Sequence, residues 1–108
     1  MNRRPLSWSF DITVASGAGS ADLATFLPLR DAGGFIGQVL VKAPFDSASF
    51  DFRLENPNQR VCYRRTEQIG ELAEETGFPV PNGEYDAYIS NASHDGTYEC
   101  EIIFLEVY

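Results

Sequence analysis

Residues that carry chemistry are scarce in this chain. Its 108 residues include one histidine, one tryptophan, one methionine and two cysteines. A lone histidine, His94, and two widely separated cysteines do not make a closed four-ligand zinc site. Cys62 and Cys100 are also too few for a disulfide framework. They read as buried free thiols acting as small hydrophobes, with a single cross-strand disulfide as the alternative. Positive charge is short as well. Eight Lys and Arg face sixteen Asp and Glu, for a net charge of −8. That balance repels phosphate backbones and argues against a nucleic-acid partner. No run approaches the ~18 consecutive apolar residues of a membrane-spanning helix, so no membrane partner is expected. The start, Met1-Asn2-Arg3-Arg4-Pro5, is basic, but alternating apolar and polar residues follow it, unlike a signal peptide. The expectation is a protein kept in a reducing cytoplasm, or assembled there into something larger.

What is present is strand rhythm. Trp8, Phe10, Ile12 and Val14 share one parity, against Ser7, Ser9, Asp11 and Thr13 on the other. This is the pattern of a half-buried strand. Phe50, Phe52 and Leu54 alternate with Asp51, Arg53 and Glu55. Across Asn56-Pro57-Asn58, Val61 and Tyr63 can pair back as a hairpin from Ser49 to Arg65. Phe35 to Ala43 is apolar on both parities, Phe35, Val39 and Val41 against Ile36 and Leu40, as in a central strand. Leu23, Phe26 and Leu27 fit one or two helical turns capped by Ser20, or a short strand. Thr66 to Thr76 is a short amphipathic helix weakened by Gly70, or a short strand around Ile69 to Leu72. Gly77 to Gly83, with two prolines, reads as an extended loop. Gly83 to Tyr108 reads as a closing hairpin through Asp95-Gly96.

The expected fold is therefore a single all-β domain over residues 1–108. It is an antiparallel β-sandwich, jelly-roll or immunoglobulin-like, or a small barrel, with six to eight short strands and at most one short helix. Residues 1–6 are expected as a short N-terminal arm.

Candidate sites are few. His94 falls in the connection Asn91 to Gly96 and reads as an exposed loop residue, with no Ser or Cys that the sequence pairs with it. Asp46, Asp51, Asp86, Asp95 and Glu99 are hard oxygen ligands near turns, but no D-x-D-x-D-G calcium loop exists. The sixteen carboxylates read as solvated surface groups, since a glycosidase pair is defined only by its spacing in three dimensions. Ser16 to Ser20 and Asp31 to Gly37 lack the Lys and helix of a phosphate loop. Asn91-Ala92-Ser93 matches a glycosylation triplet and reads as a turn. Tyr88 lies opposite in parity to Tyr85, Ala87 and Ile89. No enzyme, metal or cofactor is expected.

The final strand is unusual. Tyr98, Cys100, Ile102 and Phe104 form one face. The other begins polar with Thr97, Glu99 and Glu101, then turns apolar with Ile103, Leu105 and Val107. One explanation is cover from the Leu23 to Leu29 segment, or a bulge that switches faces. The sharper one makes Ile103, Leu105 and Val107 a surface that meets a neighbouring subunit, with Arg3 and Arg4 as a second, exchanged contact.

The stretch Ala43-Pro44-Phe45-Asp46-Ser47-Ala48-Ser49-Phe50-Asp51-Phe52, with Gly83-Glu84-Tyr85 and Asp95-Gly96-Thr97-Tyr98, resembles small β-sandwich structural proteins of tailed-phage virions. These include head decoration (cement) proteins and small tail or neck components. The resemblance covers about the C-terminal two thirds and rests on strand rhythm and loop chemistry. It implies a non-enzymatic virion protein, assembled in a host cytoplasm, that binds a major capsid or tail protein or further copies of itself. Two other functions stay open: a carbohydrate- or calcium-binding sandwich module, and an acidic inhibitor that mimics nucleic acid.

Overall fold

The computed structural model describes residues 3–17, 19–26, 34–80 and 84–107, with side chains described for 7–17, 19–20, 36–77 and 84–104. The strands are β1 (Arg3–Val14), β2 (Ala21–Phe26), β3 (Gly34–Lys42), β4 (Ser49–Glu55), β5 (Val61–Ile69), β6 (Glu71–Val80), β7 (Tyr85–Ser90) and β8 (Gly96–Val107). No helix occurs among the described residues. Two four-stranded sheets run in the orders β1-β8-β3-β6 and β2-β7-β4-β5.

The pairing has a simple logic. β1 pairs with β8, β2 with β7, β3 with β6 and β4 with β5, all antiparallel. The chain is thus one long hairpin with β4 and β5 at its tip. Rolled on itself, it gains the pairs β3–β8 and β4–β7. An eight-stranded double sheet of this order is a jelly roll, one of the two sandwich types expected.

The core follows from the period-two alternation. Ile12, Val14, Tyr98, Cys100, Ile102 and Phe104 point inward from β1 and β8, and Phe50, Phe52, Leu54, Tyr85, Ala87 and Ile89 from β4 and β7. Phe50 and Tyr98 meet edge-on across the sheets, ring centres 5.4 Å apart. Phe52 meets Tyr63 at 6.3 Å. Burying each such side chain contributes about 1.5–3 kcal/mol. Among the described residues, no polar or charged residue is fully buried.

Several expectations change. β7 and β8 do not pair; they lie in different sheets. The Asn91–Asp95 connection crosses from one sheet to the other instead of closing a hairpin. The hairpin that exists is β4–β5. The segment Ala21–Phe26 is a strand, not a helix, because β7 supplies its backbone partners. Thr66 to Thr76 belongs to two strands that meet at Gly70. Gly77 to Val80, expected as loop, continues β6; β6 is an edge strand and can hold Pro79. Residues 3–6, expected as an arm, continue β1 opposite Val107 to Phe104. In β3 the register shifts between Ile36 and Gln38. With that extra residue Ile36 joins Val39 and Val41 in the core, and Leu40 lies on the outer face, half-buried.

Candidate functional site

The outer face of the β1-β8-β3-β6 sheet reads as rows set by the register. Asp11, Glu99, Lys42 and Glu71 form one row; Ser9, Glu101, Leu40 and Ala73 the next. Together they line a shallow depression. Ser7, Ile103, Gln38 and Glu75 follow, with Ile103 half-buried. The next row places Pro5, Leu105, Phe35 and Pro79 side by side, four apolar residues across the whole sheet. Arg3 then pairs with Val107, and Arg4 with Glu106. The side chains of Arg3, Arg4, Pro5, Phe35, Pro79, Leu105 and Val107 lie outside the described set. The fold therefore brings all five expected interface residues onto the neighbouring strands β1 and β8.

The β1–β8 ladder has no register shift, and Tyr98, Cys100, Ile102 and Phe104 all stay buried. No bulge switches the faces of β8 there. β2 belongs to the facing sheet, so Ala21–Phe26 lies on the inner side of β8 and cannot cover its outer one. Residues 27–29 lie outside the described set.

The end of the sandwich opposite the β4–β5 turn is cross-braced. The Ala43 amide donates to the Gly70 carbonyl at 2.9 Å, the Gly70 amide to Ala48 at 2.8 Å and the Ser93 amide to Ser49 at 2.9 Å. Ser93 Oγ accepts from the Ser49 amide and lies 2.8 Å from His94 Nδ1. The Ser49–Ser93 bond ties β4 to the crossing, while the Ser93–His94 contact joins neighbours within the crossing itself. His94 is exposed and meets Phe45 at a tilt, ring centres 5.4 Å apart.

Asp51 works internally. Its carboxylate accepts from the Glu67 amide at 2.9 Å and from Asn91 Nδ2 at 2.7 Å. Both partners have left-handed backbones, φ 55° and 50°, so the carboxylate holds two unfavourable conformations. Among the described residues, no three His, Cys, Asp or Glu side chains gather as metal ligands. Tyr88 is half-buried on the outer face of its sheet, under the Arg53 guanidinium at 4.0 Å.

At the β5–β6 edge, Arg65 grips Glu74 through two contacts, 2.9 and 2.6 Å. This pair holds the Glu74 carboxyl below its ordinary range and raises the guanidinium further. Burial, then Glu74, pushes the Tyr63 hydroxyl up. The cysteines are free thiols. They sit in different sheets, with Cys100 buried and Cys62 half-buried. Burial pushes the Cys100 thiol up to about 12 and raises Cys62 as well. Neither has the electropositive surroundings of a reactive thiolate.

No protein-family model and no curated protein sequence matches the chain. Solved structures that it is similar to in arrangement come from infectious bursal disease virus. A structure of the Gx strain aligns over 100% of this chain and 33% of that one, at 10% identity and a TM-score of 0.47. A VP2 subviral particle aligns over 95% of this chain and 31% of that one, at 11% identity and a TM-score of 0.43. The chain spans about a third of the length of these proteins.

Proposed function

We propose that the chain is a non-enzymatic structural protein of a virion that acts through protein–protein contacts, as a capsid decoration protein or a small tail or neck component. The carrying observation is the complete eight-stranded jelly roll with a solid apolar interior. This order is shared by capsid proteins, lectins and cupins, and fold alone does not choose among them. The interior does part of the sorting. A ligand, metal or substrate held between the sheets needs a cavity with convergent polar groups. Here the space is filled by Phe50, Phe52, Phe104, Tyr85, Tyr98 and their aliphatic neighbours.

The contact surface in this reading is the outer face of β8 beyond Glu101. Ile103 opens it, and Leu105 and Val107 continue at the same strand parity, beside Pro5 and Phe35 in register. Apolar residues there meet a capsid or tail neighbour. Specific interfaces bury about 1,200–2,000 Å² in total, and acidic residues around such a patch steer docking more than they add affinity. Arg3 and Arg4 stand on β1 opposite Val107 and Glu106. The test is Ile103→Asp. It is expected to leave a folded domain, its melting temperature lowered by a few degrees, and to abolish co-sedimentation with the source particle. A folded variant that still co-sediments like wild type removes Ile103 from the interface. A wild-type chain that never associates with particles removes the virion reading itself.

A further inference from the structure

We infer that the open edge of β1 pairs with β1 of a second copy, antiparallel about Ser7, joining two sheets into one continuous sheet. Among the described strands four have one open edge: β1, β6, β2 and β5. Three of them belong to ladders with a register shift: β2 between Asp22 and Thr25, β6 opposite Ile36 and Gln38, and β5 at two places. Bulges blunt an edge against further pairing. Twelve consecutive residues of β1 pair with β8 without a shift. Its far side is thus a long, regular template.

Charge selects the occupant. Asp11 stands directly opposite Glu99, with Lys42 only on the far side of Glu99. Like charges directly opposite across strands are destabilising. A cation beside Asp11 on the open edge relieves that repulsion. The same strand begins with Arg3. Pairing two copies about Ser7 sets Arg3 of each opposite Asp11 of the other, so the row becomes Arg3, Asp11, Glu99, Lys42, Glu71. In the same register Trp8, half-buried at this edge, stands opposite Leu6, and Phe10 opposite Arg4. Pro5 then faces Ser9 and removes at most one cross-strand hydrogen bond from each copy. This dimer is independent of the virion reading, because it forms in buffer without any particle.

The experiment uses the full chain in a Cys62→Ser background. Sedimentation velocity across the micromolar range is expected to show a monomer–dimer equilibrium. Ser7→Cys places two thiols on the two-fold axis, where opposed Cα atoms are about 4.5–5.5 Å apart, within disulfide reach. Mild oxidation should couple Ser7→Cys into a dimer at least tenfold faster than Thr13→Cys. Asp11→Arg should weaken the dimer at least tenfold, and adding Arg3→Asp should restore it. Three results would each overturn the proposal: a chain monomeric throughout, Ser7→Cys coupling no faster than Thr13→Cys, or no rescue by the charge swap.

Discussion

Gly70 and Cys100 show how single residues hold this fold. Gly70 has φ +76°, and a Cβ there would lie 2.8 Å from the Asp46 carbonyl oxygen. Its amide and carbonyl both brace the β3–β4 connection. Gly70→Ala combines a left-handed backbone with a clash against main chain. It should cost about 1–3 kcal/mol, seen as a melting temperature lowered by roughly 4–8 °C for each kcal/mol. Cys100 acts through its proton. Its thiol is pushed from 9.0 up to about 12 by burial first, and by the Asp11 charge second. The unfolded chain therefore loses this proton before the folded chain does. Stability from this group is complete below about pH 9 and falls as pH rises towards 12. The hydroxyls of Tyr63, Tyr85 and Tyr98 are raised too, and act with the same sign. Urea midpoints should be flat between neutral pH and about pH 9, then decline. Thiol titration in native buffer should label Cys62 before Cys100, since Cys62 is the more accessible.

At the scale of elements, Asp51 is the joint between β4, β5 and the crossing after β7. Asp51→Ala leaves the Glu67 amide and the Asn91 side chain without their charged acceptor. It should lower unfolding free energy by about 1.5–3 kcal/mol in urea titration, with the far-ultraviolet spectrum unchanged. Much of the strand content was legible before any fold was known. The alternations Trp8 to Val14, Phe50 to Leu54, Tyr85 to Ile89 and Tyr98 to Phe104 are core against solvent, and the inward set of each is buried or half-buried. Pairing was not legible, because alternation says which face a residue takes and nothing about the neighbouring strand. Asp95-Gly96 carries the local chemistry of a hairpin. Here Gly96, φ +129°, serves a tight passage instead, with Pro44 side-chain carbons 3.0–3.1 Å from where a Cβ would stand. The shift at Ile36 and Gln38 likewise leaves no composition signal beyond Gly37, and it inverts half of β3. The expectation for Ile103, Leu105 and Val107 rests on parity alone. The row that sets Leu105 beside Pro5 and Phe35 needed the three-strand register.

The whole molecule is a long hairpin rolled into a jelly roll, filled with aromatic side chains and carrying its excess negative charge outside. On its outer sheet face carboxylates gather around Asp11, Glu99 and Glu71, and further along the strands the register sets Pro5, Leu105, Phe35 and Pro79 in one row. An acidic mimic of nucleic acid would use the first region, and its binding to a basic enzyme should weaken steeply with salt. A virion component would use the second, where apolar burial makes binding far less sensitive to salt. The most direct measurement is mass spectrometry of particles purified from the source on a density gradient, run in parallel for wild type and Ile103→Asp. The wild-type chain is expected in the particle fraction at a fixed ratio to the major shell or tail protein, retained at high salt, and the variant is expected to be absent. A wild-type chain found only in the soluble fraction would contradict the virion reading.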